Sequence, residues 1–356
     1  QGVSSAASDV YKRQAQQWAT DLTFPVLTKI NAKKIIVPTG FSGLRDQIFR
    51  NYYEKMRNLL NLYDASVFLS SDYQDISFAR ECIPHNKIVV IPNGASKNEF
   101  LLTHHGDIRT RLQIPVSHKL IIHVSGYLSA DKGQLETIKI FNKSEIRNAS
   151  LVLVSPGFSS RINQYIISPI TIIGVFYDLI RGRGLRRLLY PIRLFIEKQK
   201  YAFANKQKSR QILTKSLTRS ETVSLFKQSD LFLFPSKTEC SPLVLFEACA
   251  SSTPFLVTDV GNAKEIITWT GGGALLPTST CGLSSSLQLD IIQSAKQLDS
   301  IMNDTELRHL MATKAHSAWQ AHFTWEQITL LYQRLYEHVL KNHSNLSALS
   351  SPVVDQ

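Results

Sequence analysis

Absences narrow the reading of this chain first. Cysteine is scarce: Cys82, Cys240, Cys249 and Cys281 stand singly, with no Cys-x-x-Cys pair and no framework spacing. That excludes a zinc site of ordinary ligand spacing and a disulfide scaffold, and it fits a reducing compartment. No apolar run reaches the roughly 20 residues that span a bilayer. The most apolar stretch, 170–180, is short and carries Asp178. No basic segment followed by an apolar core opens the sequence, so no secretory leader is visible. An internal repeat, an Asp-x-Asp cluster and any DNA- or RNA-binding motif are also lacking.

The 356 residues are 43% apolar and 19% charged, a globular composition long enough for two domains with separate cores. Lys+Arg 40 against Asp+Glu 28 gives a formal charge of +12, which favours anionic partners such as nucleotides, phosphorylated substrates or an acidic membrane face. Most of that charge sits in residues 181–210, where Glu197 is the only acidic residue. There Leu185, Leu188, Leu189, Ile192, Phe195 and Ile196 recur at helical spacing among Arg and Lys. Such a segment reads either as an anchor on an anionic membrane surface or as an exposed helix packed on the protein and interrupted by Pro191. Nucleic acid is not an expected partner, because no recognition motif accompanies the charge.

Strand and helix patterns alternate along the chain. Strands are expected at 34–38, 65–69 and 87–91, with helices over 45–62 and 73–83 between them. A polar stretch, 104–117, precedes a second series with strands at 120–124, 151–154, 231–234, 254–257 and 274–276. Helices are expected near 285–300, 305–320 and 325–341. The β-α-β rhythm predicts parallel sheets with crossover helices, hence two Rossmann-like halves. Residues 1–14 show no periodicity, resemble a translated sequencing-adapter tail and are set aside as a non-native or disordered leader. The expected division is 15–110, a partial N-terminal domain; 111–321, a C-terminal domain with an insertion at about 160–210; a helix over 322–343; and a disordered tail, 344–356.

The densest chemical signal is PSKTECSPLVLFEACASSTPFLVTDVGNAKEII at 235–267. A strand ends at Phe234, and the following loop carries Glu239. Ser241 can cap the next helix and Pro242 suits its first position, leaving the amides of Leu243 and Val244 free at the carboxyl end of the sheet. Ligands of open α/β sheets bind there, and a helix N-terminus favours phosphate. Glu247 lies on an otherwise apolar helix and needs a partner, since burying a lone carboxylate is costly. Ribose hydroxyls would serve. Glu239 and Glu247 are expected to face one cleft; a solvent-facing Glu is the plain alternative for either alone.

This stretch resembles the signature of retaining glycosyltransferases of the GT-B fold, the large family-four group, with its Glu-x7-Glu motif. The resemblance runs over about 30–340 in order and spacing. It implies a GT-B-like α/β fold, two Rossmann-like domains facing a cleft, with the N-terminal one incomplete and sequence missing upstream. By the same resemblance Glu239 contacts the donor sugar and Glu247 the nucleotide ribose. Val260-Gly261-Asn262 falls on the loop near sugar or phosphates, where Gly-Gly is more usual. Val124-Ser125-Gly126-Tyr127-Leu128-Ser129-Ala130-Asp131-Lys132-Gly133 resembles the Gly-Arg…Lys-Gly loop that holds the donor diphosphate. Tyr127 stands in the Arg position, leaving Lys132 to carry the charge. Ile91-Pro92-Asn93-Gly94 resembles the segment ending the N-terminal domain at the interdomain cleft, though it also reads as a plain tight turn.

Three departures stand out. Cys240-Ser241-Pro242 replaces the usual Gly-Phe-Gly after the first Glu, Pro38-Thr39-Gly40-Phe41 stands where a His is common, and no glycine-rich first loop is present. No catalytic His can therefore be named. The resemblance implies a metal-independent retaining transferase, without a cofactor, moving sugar from a nucleotide-sugar to the hydroxyl of a glycan or glycolipid acceptor. Polysaccharide assembly in the cytoplasm, or peripherally at the inner face of the membrane, is the expected setting. A non-catalytic nucleotide-sugar-binding or membrane-docking scaffold is the alternative; an epimerase or phosphorylase of the same fold is a third.

Overall fold

A computed structural model describes residues 9–13, 18–41, 43–102, 106–156, 184–279, 288–341 and 346–351. Cys281 and most of the expected insertion before residue 184 lie outside the described residues, as do the side chains of Leu185, Leu188 and Leu189.

In the first half, β1 (Asp9–Arg13), β2 (Lys33–Val37), β3 (Ala65–Phe68) and β4 (Ile88–Val90) form a parallel sheet in chain order. Three helices accompany it: α1 (Trp18–Thr23), α2 (Arg50–Leu60) and α3 (Gln74–Arg80). The segment set aside as a leader thus contributes backbone, since Asp9–Arg13 pairs with Lys33–Val37 as the edge strand. Five residues suffice for an edge, and the sequence carries no helical or alternating pattern to reveal it. On α2, Tyr53, Met56 and Leu60 recur at three- and four-residue spacing and pack beneath the sheet with Ile36, Phe68 and Ile76.

The second half is longer. After α4 (Ile108–Arg111) come β5 (Lys119–Val124), α5 (Gln134–Lys143), β6 (Ala149–Val154), α6 (Gly184–Lys200), α7 (Ala202–Gln207) and β7 (Arg210–Lys215). Then follow α8 (Arg219–Lys227), β8 (Leu231–Phe234), α9 (Leu243–Ala250), β9 (Phe255–Val257), α10 (Ala263–Thr270) and β10 (Gly273–Leu275). All six strands are parallel, in the order β10-β9-β8-β5-β6-β7. The chain therefore builds outward from β5 through β6 and β7, then returns to the other side of β5 with β8. Crossover loops diverge at that reversal, the carboxyl ends of β5 and β8, which is where ligands of open α/β sheets bind.

Two features of the basic stretch differ from expectation. Pro191 does not interrupt α6, which runs unbroken from Gly184 to Lys200. Arg210 opens β7 rather than closing an exposed insertion. Its guanidinium is buried, donating to Phe141 O at 3.0 Å, Ser144 O at 2.9 Å and Asn205 Oδ1 at 2.6 Å. A strand written Arg-Gln-Ile-Leu-Thr-Lys has too few apolar residues to announce itself beside so many cations.

The chain closes with α11 (Ile291–Asn303), α12 (Thr305–His322) and α13 (Trp325–Leu340). Helix α13 returns to the first half. Its Ile328, Leu335 and Val339, with Leu346, cover the face of the first sheet formed by Ile35, Val37, Val67, Val89 and Ile91. Residues 346–351, expected to be disordered, lie along edge strand β4: Leu346 N donates to Asn86 O at 3.2 Å and Ser351 N to Val90 O at 2.9 Å. An edge strand carries unpaired backbone groups, and these bonds occupy them.

Leu335 is fully buried at the centre of this contact. Leu335→Ala is expected to lower stability by about 2–4 kcal/mol, read as a shift in urea midpoint at unchanged m-value. A shift below about 0.5 kcal/mol would show that α13 is not packed as described.

Candidate functional site

Two interlocking loops leave the carboxyl ends of β5 and β8. After β5, Ser129 Oγ accepts from Asp131 N at 3.2 Å and starts a single tight turn, 130–132. Gly133 follows with φ +75°, and a Cβ there would lie 2.0 Å from Pro235 O, so only glycine permits the approach. From the other loop, Lys237 N donates to Asp131 O at 2.7 Å and Lys237 Nζ pairs with Glu136 at 2.8 Å.

This interlock sets Lys132 against Glu239. Lys132 Nζ lies 2.7 Å from Glu239 Oε1, and Ser236 Oγ donates to the same oxygen at 2.7 Å. Both charged side chains are mostly buried, at 15% and 13% exposure. A charge-assisted bond in such a setting is stronger than its solvent-exposed counterpart. The Tyr127 ring sits 5.2 Å from the ammonium, so the residue in the Arg position contributes a π-face instead of a second cation. At Gly126 an added Cβ would meet nothing within 4 Å, leaving space above the end of β5.

Other predicted residues support the Glu239 loop from behind. Gly261 has φ +56°, and a Cβ there would lie 2.2 Å from Cys240 O. Asn262 N donates to Cys240 O at 2.8 Å, while its side-chain amide donates to Leu69 O at 2.9 Å in the first half. The visible contacts of Gly261 and Asn262 are therefore made to protein, and they hold the loop between the halves. Asn93 Nδ2 reaches Ser241 O at 3.1 Å. Gly94 is pressed against Phe323, whose carbonyl oxygen would lie 2.4 Å from an added Cβ.

Helix α9 begins one residue later than expected. Pro242 is the N-cap, with φ −70° and ψ 110°, and offers no side-chain cap bond. The Ser241 hydroxyl does not cap the helix and is buried without a partner. Leu243 and Val244 thus open the helix with amides that no side chain caps. Glu247, one turn on, pairs with Arg219 Nη1 at 2.8 Å. Glu239 and Glu247 therefore have separate cations, Lys132 and Arg219, where the sequence suggested one shared cleft environment. Burial pushes the Glu247 carboxyl up, and Arg219 draws it back down.

Several site residues escaped sequence reasoning. Ser236 was visible only as a strand-ending Pro-Ser. Arg219 begins α8 behind a capping box, Thr218-x-x-Glu221, that is legible in the sequence. Tyr73 comes from the other half, its hydroxyl donating to Glu239 O at 2.9 Å, and no local pattern could reveal that. Neither could it reveal His123, fully buried on β5. Nδ1 lies 3.0 Å from both Leu233 O and Thr137 Oγ1, and burial lowers its pKa to about 4, so the ring is neutral and ties β8 to α5.

Asp75 completes the seam. It is 1% exposed and accepts from Gly40 N at 3.0 Å and Ile76 N at 2.9 Å. Burial raises its pKa to about 6; the two backbone donors oppose the rise and nearby Glu265 adds to it.

Comparison with known proteins follows the same lines. Residues 196–318 match the family model described as glycosyl transferases group 1. The N-acetyl-alpha-D-glucosaminyl L-malate synthase of Bacillus anthracis is 29% identical over 127 residues, which are 36% of this chain and 31% of that protein. The match thus spans under a third of that relative's length. Among solved structures, the sucrose-phosphate synthase of Thermosynechococcus elongatus superposes with a TM-score of 0.68 at 18% identity, covering 94% of this chain and 74% of that one. Anabaena HepE in complex with UDP gives 0.67 at 17% identity, covering 93% and 78%. Trehalose 6-phosphate synthase from Burkholderia multivorans gives 0.64 at 12% identity, covering 94% and 72%. At these identities the likeness is one of fold: two Rossmann-like domains, GT-B in type.

Asp75 yields a stability test. Its pKa is higher in the folded chain than in the unfolded one, so between pH about 4 and about 6 the folded chain holds more of the proton than the unfolded chain does, and stability falls as pH rises through that window. Asp75→Asn removes the penalty. The variant is expected to be more stable than the parent above pH about 6, by roughly 1–3 kcal/mol, with the difference shrinking toward pH about 4. A difference independent of pH in paired thermal melts would contradict this.

Proposed function

Residues 196–318 belong to the group 1 glycosyltransferases, and from that premise we propose that the chain moves a sugar, with retained configuration, from a nucleoside-diphosphate donor to an acceptor hydroxyl. The supporting observation is the Lys132–Glu239–Ser236 cluster at the carboxyl ends of β5 and β8. As the bond from the anomeric carbon to phosphate oxygen breaks, the departing diphosphate gains negative charge. Lys132 and the uncapped amides at the start of α9 answer that charge without a metal ion. Lys132 then exchanges the Glu239 carboxylate for phosphate oxygens, and Glu239 turns to the sugar hydroxyls and orients the ring. Glu239 is not assigned as a nucleophile. Uridine donors come first for testing, because the Anabaena neighbour is complexed with UDP.

The acceptor proposed is a glycan or glycolipid of polysaccharide assembly, met at the inner face of a membrane. The support is α6 and α7. Tyr190 and Leu194 pack α6 onto the domain, while Ile192, Phe195, Ile196 and, on α7, Phe203 are exposed at 53%, 56%, 57% and 75%. Arg193, Lys198, Lys200 and Lys206 accompany them. Apolar residues on an outer face among cations suit an anionic lipid surface. No described helix is long and apolar enough to cross a membrane.

Turnover is tested with a panel of UDP-, GDP- and ADP-sugars, identifying the product. Glu239→Ala is expected to abolish transfer while the chain still melts cooperatively, at a lower temperature because Lys132 loses its buried partner. Lys132→Ala should lower kcat by about a hundredfold or more, and EDTA should change nothing. Donor binding without transfer or hydrolysis would favour the scaffold reading. Vesicle sedimentation tests the membrane: the chain should pellet with phosphatidylglycerol vesicles and not with phosphatidylcholine alone, and Phe195→Glu with Ile196→Glu should release it. Equal pelleting of the double variant would refute the assignment.

A further inference from the structure

Glu247 does not stand alone at the second acid position. Its partner Arg219 is itself held from the far side. Arg219 Nε lies 3.2 Å from Glu99 Oε1 and Nη2 lies 2.7 Å from Glu99 Oε2, a two-pronged contact, while Nη1 is the nitrogen 2.8 Å from Glu247 Oε1. The guanidinium also lies 5.7 Å from the centre of the Phe100 ring. Glu99 and Phe100 belong to the turn 98–102, just past the Asn93-Gly94 crossing between the halves. Planar, forked and braced on two sides, the guanidinium has one orientation in which all three bonds are made. Among the described residues, Glu247 Oε2 has no hydrogen-bond donor.

We propose that Arg219 is a positioning residue for the ribose of the bound nucleotide: the Glu99–Arg219–Glu247 relay immobilises one oxygen of Glu247 and reserves the other for the vicinal hydroxyls. This rests on the nucleotide-sugar reading above and goes beyond it. The pair alone would leave Glu247 free to rotate about its own side chain. Glu99 removes that freedom by anchoring the guanidinium, and it links the ribose contact to the segment between the halves. Burial works against the charge on Arg219, but the bonds to Glu99 and the pull of Glu247 raise its pKa overall. The charged groups facing Glu247 are thus Arg219 from α8 and Glu99 from the turn, and no other is identified among the described residues.

The test measures binding of UDP, GDP and ADP and of their 2′,3′-dideoxy counterparts by calorimetry, for the full chain and for Arg219→Met, Arg219→Lys and Glu99→Gln. In the unaltered chain the preferred diphosphate should bind about tenfold or more tighter than its dideoxy form, with little dependence on pH. In Arg219→Met that preference should fall to about twofold or less, and affinity should climb as pH rises, because an unpaired buried carboxyl regains its charge only at higher pH. Arg219→Lys should restore the flat pH profile, since the charge returns, and only part of the ribose preference, since the fork does not. Glu99→Gln leaves the Arg219–Glu247 pair in place and should weaken the preference in the same direction by a smaller factor. It carries the test if Arg219→Met fails to fold. An unchanged ribose preference in the variants, with nucleotide still bound, overturns this proposal alone. Absence of nucleotide binding by the unaltered chain overturns the functional reading beneath it as well.

Discussion

One contact organises the molecule: an ammonium and a carboxylate 2.7 Å apart across the point where the second sheet reverses its direction of growth. Lys132 and Glu239 are 107 residues apart in sequence, and each is delivered by a loop that cannot move without the other. The loops meet at Gly133, where backbone lies against the Pro235 carbonyl with no room for a side chain. Behind them Gly261 presses on Cys240 in the same manner. Glycines on two sides of the Glu239 loop, rather than any run of apolar packing, set its position. Close-packed interiors have low compressibility, so these contacts constrain the geometry of the charged pair.

The same loop is also the meeting place of the halves. Tyr73, Asn93 and Leu69 reach Glu239, Ser241 and Asn262 by single hydrogen bonds, while Glu265 on α10 accepts from Ser70 and Ser71. These are polar contacts of modest net worth, each about 0.5–1.5 kcal/mol. The apolar join adjoins them, where α13 crosses to the first sheet and the Trp319 indole donates to Ala95 O at 3.2 Å. The halves are thus joined by an apolar contact that reaches Cys240 of the Glu239 loop and by hydrogen bonds along the same seam. Ser241 Oγ and Asn262 Oδ1 are buried at that seam without a hydrogen-bond partner among the described residues.

The inserted helices connect to this arrangement through one side chain. The Tyr190 hydroxyl on α6 donates to Gln134 Oε1 at 2.8 Å, and Gln134 Nε2 in turn donates to Ser125 Oγ and Tyr127 O, both at 2.9 Å. The packed face of α6 and the loop bearing Lys132 therefore share a short chain of hydrogen bonds. The concentration of positive charge read from the sequence is smaller at the surface than it looks. Arg210 is buried in backbone contacts, and Lys208 pairs with Glu145 at 2.6 Å.

What local chemistry dictates could be read without coordinates. Runs such as Leu-Ile-Ile-His-Val and Leu-Phe-Leu-Phe are too apolar and too short to be anything but buried strands, and helical spacing between them implies parallel sheets. The Glu-x7-Glu spacing, the Lys132-Gly133 step and Asn93-Gly94 stood out through their resemblance to family motifs, each a short segment contiguous in sequence. Partnership was not legible. That Glu239 belongs to Lys132 and Glu247 to Arg219, that Pro242 rather than Ser241 starts α9, and that Asn262 spends its amide on Leu69 all depend on loops from distant strands arriving at one place. Polar strand β7 and edge strand β1 went unread because their stabilisation is backbone pairing with β6 and β2, and the 346–351 segment because it is held by a few backbone bonds near β4 and by Leu346 alone in the core. Hydrogen bonding of that kind leaves no periodic mark on side chains, and only the folded chain decides which backbone groups it joins.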